Sequence, residues 1–348
     1  MYFVNVIGPL KAIFSCISGF QTNIQLVVST QSEVCCSKML EHVLSKLKTE
    51  LEPLGFELSP FLVGWYNELV SVKLHLDAPS SDCLAICLIS SPMMFEASFL
   101  PLLFSWFEKE DGQSLEDVLR NLKSKETRKT SLPGLNDPLD WSVFIRVNAA
   151  LKRLREDNNL LLTETESLAL GTARFVPDYV VRPVSRLPLI HVQCAGHVSG
   201  LAYYHKACIK VKDLSKEYGC SLHPKYGGWF GFRGVIVFPD IRCPELPRPI
   251  TRSPLLPGLP PFDTEALQTL ITEYRERWRD NRWRDIGVDE QTVCRYSETA
   301  RSFFNTPPSS RAQWVERLIQ MSRCRTCPVL SRSSSPATQD HLTLKHQV

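Results

Sequence analysis

A chain of 348 residues, 43% hydrophobic and 22% charged, has the composition of an ordinary globular protein and the length for one large core or two small ones. Forty Lys and Arg against 37 Asp and Glu leave a formal charge of +3, too small to require an anionic partner. Twelve Cys fall far short of a disulfide scaffold, and Cys83, Cys87 and Cys194 sit in apolar runs, as reduced thiols of a cytoplasmic protein do.

Residues 1–38 form an extension whose first 29 residues carry one charge, Lys11. Its apolar run, Ala12–Phe20, is too short to span a bilayer, and no secretory or mitochondrial pattern is clear. From Met39 to Leu54, Leu40, Val43, Leu44, Leu47 and Leu51 recur at helical spacing, and Pro53 ends the pattern. Phe56–Tyr66 and Cys83–Ile89 read as strands, and Pro92–Phe107 as an apolar helix. Between Glu108 and Pro138 charge dominates, which predicts a solvated insertion with a charged helix over Leu115–Leu122. Trp141–Arg155 is an amphipathic helix, Asn158–Arg174 has no clear pattern, and Val176–Val181 is a short strand.

The stretch His191–His205 reads as one helix on which Gln193, His197, Leu201 and Tyr204 share a face. Around them Cys194, Ala195, Gly196, Ser199 and Gly200 are all small. Each Gly inside a helix costs about 1 kcal/mol relative to Ala, so that bare face predicts a space with a use. Gly227-Gly228 precede an aromatic strand, Trp229–Phe238; a Gly pair lets a flat ligand or another chain segment approach the backbone. Together they suggest a wall and a floor for something large and planar. The Pro-rich segment Cys243–Pro261 belongs on the surface, and Asp263 is placed to cap a helix striped by Leu267, Leu270, Ile271, Tyr274 and Trp278. Beyond residue 322, Ser, Arg, Thr and Pro predict a disordered tail, leaving one domain over 39–321.

Several residues carry chemistry. Arg275, Arg277, Arg279, Arg282 and Arg284 interleave with Trp278 and Trp283, a pattern able to bind nucleic acid. Glu273, Glu276, Asp280 and Asp285 in the same segment favour a helix face laced with ion pairs instead. Arg233, inside an apolar strand, must be paired or open to a cavity. His197 is either a core histidine or faces the open space beside Gly196 and Gly200, and His223 before Pro224 fits a turn. Cys324 and Cys327 are half a zinc site without a second pair. No phosphate loop, Ser-His-Asp arrangement or HExxH motif is present.

The motifs Ala195-Gly-His-Val-Ser-Gly-Leu-Ala-Tyr-Tyr204 and His223-Pro-Lys-Tyr-Gly-Gly-Trp-Phe-Gly-Phe-Arg-Gly-Val235 resemble the vitamin B12-processing family of the CblC type. The resemblance extends to Gly55–Leu69, Trp278–Asp280, Arg284-Asp285, Arg295–Ser297 and Phe304–Arg311, in the same order. It implies an α+β, nitroreductase-like fold with a central, mainly antiparallel sheet flanked by helices. The activity it implies is removal of the upper axial ligand of base-off cobalamin, by glutathione-dependent dealkylation or by reductive decyanation with reduced FMN or FAD. Cobalamin contacts are implied at Asp178, Ile190, His191, Val192, Gln193, His197, Tyr204, His205, Lys206, Ser221 and Phe232. Glutathione is implied at Arg233, Arg284 and Arg311; Arg forks suit its two carboxylates, and nearby positive charge favours the thiolate. His205 and Lys206 depart from the family's Tyr and Gln, and Ser221 stands where the family has a Cys, with Cys220 alongside. The resemblance further implies a downstream cobalamin-trafficking partner, no membrane or nucleic-acid partner, and a monomer or ligand-dependent homodimer. Two other readings stay open: a carrier without catalysis, and an Arg-rich binder of anions or nucleic acid.

Overall fold

The computed structural model describes residues 37–109, 117, 137–157, 163–211, 214–249, 264–289 and 291–323. The expectations for a leader sequence, for Cys324 and Cys327, for Asp263 as a cap and for most of the 108–138 segment therefore lie outside the described residues.

Helix α1 (37–51) leads through a short turn to β1 (Phe56–Leu62), and β2 (Cys83–Ser90) pairs with it antiparallel from Phe56↔Ser90 to Leu62↔Leu84. β2 also pairs antiparallel with β6 (Gly231–Arg242), and β6 with β3 (Arg174–Pro177), giving a four-stranded sheet of order β1-β2-β6-β3. Every residue of β2 is buried, because this strand has neighbours at both edges and helices over both faces. Its side chains alternate accordingly. Leu84, Ile86 and Leu88 join the larger core with Val43, Leu47 and Leu51 of α1, while Cys83, Ala85 and Cys87 face the opposite side. β6 does the same, with Ile236 and Phe238 on the first side and Val235 and Val237 on the second.

The larger core is closed by α3 (Leu100–Lys109), α4 (Pro138–Arg155), α8 (Glu298–Asn305) and α9 (Arg311–Arg323). The smaller core is closed by α2 (Val63–Asn67) and α6 (Val192–Val198), the latter through Cys194, Ala195 and Val198. A separate antiparallel ribbon, β4 (Tyr203–Val211) and β5 (Leu214–Leu222), lies against α7 (Thr264–Glu276), with Cys220 and Leu222 packed on Leu270 and Ile271.

Several boundaries correct the sequence expectation. The strand expected to reach Tyr66 stops at Leu62, where Gly64 N donates to Ser81 O at 2.7 Å and the chain turns into α2. The strand expected over Val176–Val181 ends at Pro177, and Val181 instead bridges Pro188 to close a loop. The patternless stretch before Arg174 holds α5 (Glu164–Gly171), started by a capping box in which Thr163 and Glu166 bond reciprocally. Asp137 and Pro138, expected within the solvated insertion, are the buried N-cap and first residue of α4. No described helix is long and apolar enough to cross a membrane.

Candidate functional site

The largest correction falls on His191–His205. Only Val192–Val198 is helical; the His191 Nδ1 caps it by accepting from Cys194 N at 3.2 Å, and Gly200, at φ +71°, turns the chain into β4. Leu201 and Tyr204 therefore do not share a helix face with Gln193 and His197. The bare face has an occupant of its own: a Cβ on Gly196 would sit 2.5 Å from Cε1 of Phe232, so the missing side chain makes room for that ring. The Gly pair likewise admits another chain segment. Gly227 takes φ +56° against the Arg284 carbonyl, a Cβ on Gly228 would lie 2.9 Å from Arg284 Cα, and Gly228 N donates to Arg284 O at 2.8 Å.

These close approaches frame a cavity of about 570 Å³. Gln193 of α6 and Phe230 and Phe232 form one wall, the end of β5 contributes Cys220 and Ser221, and Tyr274, Trp278, Trp283 and Arg284 form the other. Ser221 Oγ is buried and has no hydrogen-bond partner among the described residues, so it stands ready for a polar group brought from outside. Burial pushes the Cys220 thiol up to about 12, which leaves it protonated and a poor nucleophile at neutral pH.

Arg284 is the organised cation of this cavity. Its guanidinium lies 4.4 Å from the Trp283 ring centroid, 5.3 Å from Tyr296 and 5.6 Å from Trp229. Nε donates to Asn281 Oδ1 at 2.9 Å and one terminal nitrogen to Gly228 O. Among the described residues two of its five N–H donors are thereby used, leaving three without a partner there. Asn281 makes this possible by taking φ +62°, which breaks the Arg-rich segment into two short turns, Trp278–Asp280 and Arg282–Asp285. Elsewhere in the segment Arg277 pairs with Glu273 at 2.9 Å, Arg275 with Glu276 at 3.2 Å, and Asp285 accepts from Trp229 Nε1 at 2.7 Å. Arg275 and Arg277 are thus spent on internal pairs and Arg284 is half-buried in the cavity, while Arg279, over the Trp278 ring, and Arg282 stay exposed; the Trp278 expected on the α7 stripe lies beyond that helix, half exposed.

Arg233 and Arg311 meet a different set of groups. Arg233 is 8% exposed, and its Nε donates to Ser90 Oγ at 2.8 Å. Arg311, at the start of α9, donates to Asp137 Oδ2 at 2.5 Å and to Thr306 O at 3.3 Å. Asp137 also caps α4 by accepting from Leu139 N at 2.9 Å. Asp140 follows on the same helix, and Asp178 N approaches Arg233 O at 3.4 Å across the β3–β6 edge. Burial raises Asp140 to about 8, helped by Asp137 and Asp178 and opposed by Arg233 and Arg311. Burial likewise raises Asp178 to about 6 against the pull of Arg233. Tyr296 feels both Arg284 and Arg233, which links the two groups of charge.

Of the residues the resemblance implied, the cavity brings together Gln193, Ser221, Phe232 and Arg284. Ile190 is 2% exposed and belongs to the smaller core. Val192 opens α6, and the rings of His191 and Tyr204 lie 5.4 Å apart beside it. His197 accepts from Tyr204 N at 3.4 Å; burial lowers it, and burial followed by His197 lowers His205 to about 4, so both imidazoles are neutral at pH 7. Lys206 is exposed and pairs with Glu217 at 3.2 Å. Asp178 stands with Arg233 rather than on this cavity. His223 is structural, as the turn suggested: Nδ1 accepts from Lys225 N and Tyr226 N at 3.1 and 3.3 Å, and Nε2 meets Glu57 at 3.3 Å. Asp137, Asp140, Tyr274 and Tyr296 were missed as site residues, although Asp137-Pro138 is a legible helix start.

Residues 55–315 match the profile of the MMACHC family, "Methylmalonic aciduria and homocystinuria type C". A chicken protein named cyanocobalamin reductase / alkylcobalamin dealkylase is 31% identical over 82% of this chain and 99% of its own. A human protein of that name is 32% identical over 78% of this chain and 82% of its own. In structure, the chain is similar to the crystal structure of a Caenorhabditis elegans B12-trafficking protein, CblC, with a TM-score of 0.62 and 24% identity over 80% of this chain and 96% of that one. That likeness supports the mixed fold of antiparallel sheet and helices, and with the profile match and the near-complete coverage of the relatives it leads to one conclusion: this chain belongs to the methylmalonic aciduria and homocystinuria type C family.

Proposed function

We propose that this protein binds cobalamin with its dimethylbenzimidazole displaced and removes the upper axial ligand, as a cyanocobalamin reductase and alkylcobalamin dealkylase. The observation that carries the reading is the cavity walled by Gln193, Ser221, Phe232 and Arg284, in a chain whose relatives bear those names. The orphaned Ser221 hydroxyl and Gln193 suit the amide-bearing edge of a corrin, and the aromatic wall suits its faces. The ligand is the substrate, and the chain contributes shape, water exclusion and fixed charge.

Alkylcobalamins lose their alkyl group to a glutathione thiolate. Sulfur bonds to the alkyl carbon, the cobalt–carbon bond breaks, and its electron pair stays on cobalt to give cob(I)alamin and a thioether. Arg233, Arg284 and Arg311 hold the co-substrate; Arg284 keeps three donors for a carboxylate and brings positive charge that favours the thiolate. Fixing the thiolate over the metal-bound carbon turns an encounter into an oriented attack. Cyanocobalamin takes electrons from reduced FMN or FAD, an exchangeable donor in this reading, and cyanide leaves with its bonding pair. The same reading makes the fold nitroreductase-like, places the protein in the cytoplasm as a monomer or ligand-dependent homodimer, and has it pass its product to a cobalamin-trafficking partner.

Methylcobalamin mixed with the purified protein is expected to show the base-off spectrum. Anaerobic addition of glutathione is then expected to convert it to cob(I)alamin with one equivalent of S-methylglutathione. A base-off spectrum that glutathione leaves unchanged would make the protein a carrier, and no spectral shift would remove the reading altogether.

A further inference from the structure

Gly55–Leu69 is one of the motifs that carry the resemblance, yet none of its side chains lines the cavity walled by Gln193, Phe232 and Arg284. Two of its hydroxyls reach α6 instead. Ser59 Oγ, from β1, donates to the Ser199 carbonyl at 2.7 Å, at the C-terminal end of that helix. Further along the motif the Tyr66 hydroxyl, from α2, accepts from His191 N at 2.9 Å, at the N-terminal end of the same helix. The Tyr66 hydroxyl also donates to the Leu74 carbonyl at 3.0 Å. That loop is itself held, because Asn67 grips both the N–H and the carbonyl of Leu76, at 2.9 and 3.1 Å. Tyr66 is fully buried, and burial pushes its hydroxyl up to about 12, so it keeps its proton at neutral pH.

A helix of seven residues, Val192–Val198, is too short to hold its own shape in water, so tertiary bonds decide where it lies. Apolar contacts of Cys194, Ala195 and Val198 press it onto the smaller core, but such contacts are non-directional and leave its position along its axis to hydrogen bonds. Gln193 is its second residue, and Gly196 at its centre makes room for the Phe232 ring. The wall that Gln193 and Phe232 give the cavity is thus only as well placed as the two ends of α6. The N-terminal end is the more exacting, since His191 precedes Gln193 by two residues and its Nδ1 accepts from Cys194 N. Without the Tyr66 hydroxyl, His191 N and the Leu74 carbonyl lose that partner and the end is freed, although the ring of residue 66 still fills its place.

We propose that, on the cobalamin reading above, Tyr66 and Ser59 are positioning residues of the cavity: their hydroxyls clamp α6 at its two ends and so hold Gln193 and the Phe232 ring where the ligand needs them. Neither side chain lines the cavity, so both act through α6.

The test titrates the full chain and its variants with methylcobalamin, reads the base-off visible spectrum, and sets a thermal melt of each protein beside it. Tyr66→Phe and Ser59→Ala are each expected to weaken cobalamin binding about 3- to 10-fold, the range of a lost hydrogen bond. Val43→Ala, which opens a hole in the larger core on the opposite face of the sheet, is the control for stability. It is expected to lower the Tm at least as far and to leave the dissociation constant unchanged. Wild-type affinity in both hydroxyl variants would overturn the clamp while leaving the cobalamin reading intact. An equal loss of affinity in Val43→Ala would overturn it too, since general destabilisation would then account for the effect. If the wild-type protein gives no base-off spectrum, the cobalamin reading falls and the clamp with it. Should Tyr66→Phe fail to fold, Ser59→Ala decides by the same comparison.

Discussion

Arg284 shows how a single cation is prepared for use. Three aromatic rings and two hydrogen bonds hold its plane, so little freedom is lost when a carboxylate arrives. Lysine cannot bond Asn281 and Gly228 at once while presenting a fork. On the proposed glutathione reading, Arg284→Lys is therefore expected to raise the KM for glutathione about tenfold or more, with a smaller change in cobalamin affinity; steady-state kinetics beside a spectral titration would separate the two. Asp140 supplies a pH-dependent counterpart. Its folded value of about 8 stands above an unfolded value of about 3.9, so between these limits the folded chain holds the extra proton. The contribution to stability is complete below about pH 4 and is lost as pH rises through about 8. Asp178, raised to about 6, adds the same sign over a narrower window. Asp140→Asn removes the larger slope: urea midpoints measured from about pH 5 to pH 8 should show the variant gaining on the wild type as pH rises. An unchanged difference across that range would mean that burial does not act on Asp140 as described.

At the scale of elements, α6 shows what a sequence can and cannot convey. The small residues from Cys194 to Gly200 announced a space with a use, which the structure fills with the Phe232 ring, and Arg233 within β6 announced a charge to be paired or open to a cavity, where its Nε bonds Ser90 Oγ. Neither pattern names the visitor, because a cavity and a neighbouring ring impose the same demand on Gly196. The ring of Phe232, 36 residues away, is supplied by tertiary packing that no local period records. The helix was drawn too long for a related reason: Leu201 and Tyr204 fit the 3.6-residue period, but Gly200 at positive φ and pairing of Tyr203 with Leu222 capture them for the ribbon. Strands β2 and β6 were legible since both faces are covered and the apolar runs are continuous. Gly196→Ala forces a methyl into the Phe232 ring and should cost about 1–3 kcal/mol of stability. Adding Phe232→Leu should return part of that loss, and a double-mutant cycle by chemical denaturation would measure the coupling.

For the whole molecule, the core begins before the family match does. Residues 55–315 carry the match, but Val43, Leu47 and Leu51 of α1 are fully buried in the larger core. A chain starting at residue 55 should therefore melt well below one starting at residue 37, since losing even one such Leu to Ala costs about 2–5 kcal/mol. A thermal scan of the two truncated proteins checks this. The same global arrangement gathers three indoles at one place: Trp229 and Trp283 lie against Arg284, and Trp278 and Trp283 line the cavity. The protein thereby carries a built-in optical gauge. A chromophore that absorbs where indole emits, once lodged within a few ångströms of those rings, drains their fluorescence, so occupancy can be followed on the unlabelled chain in real time.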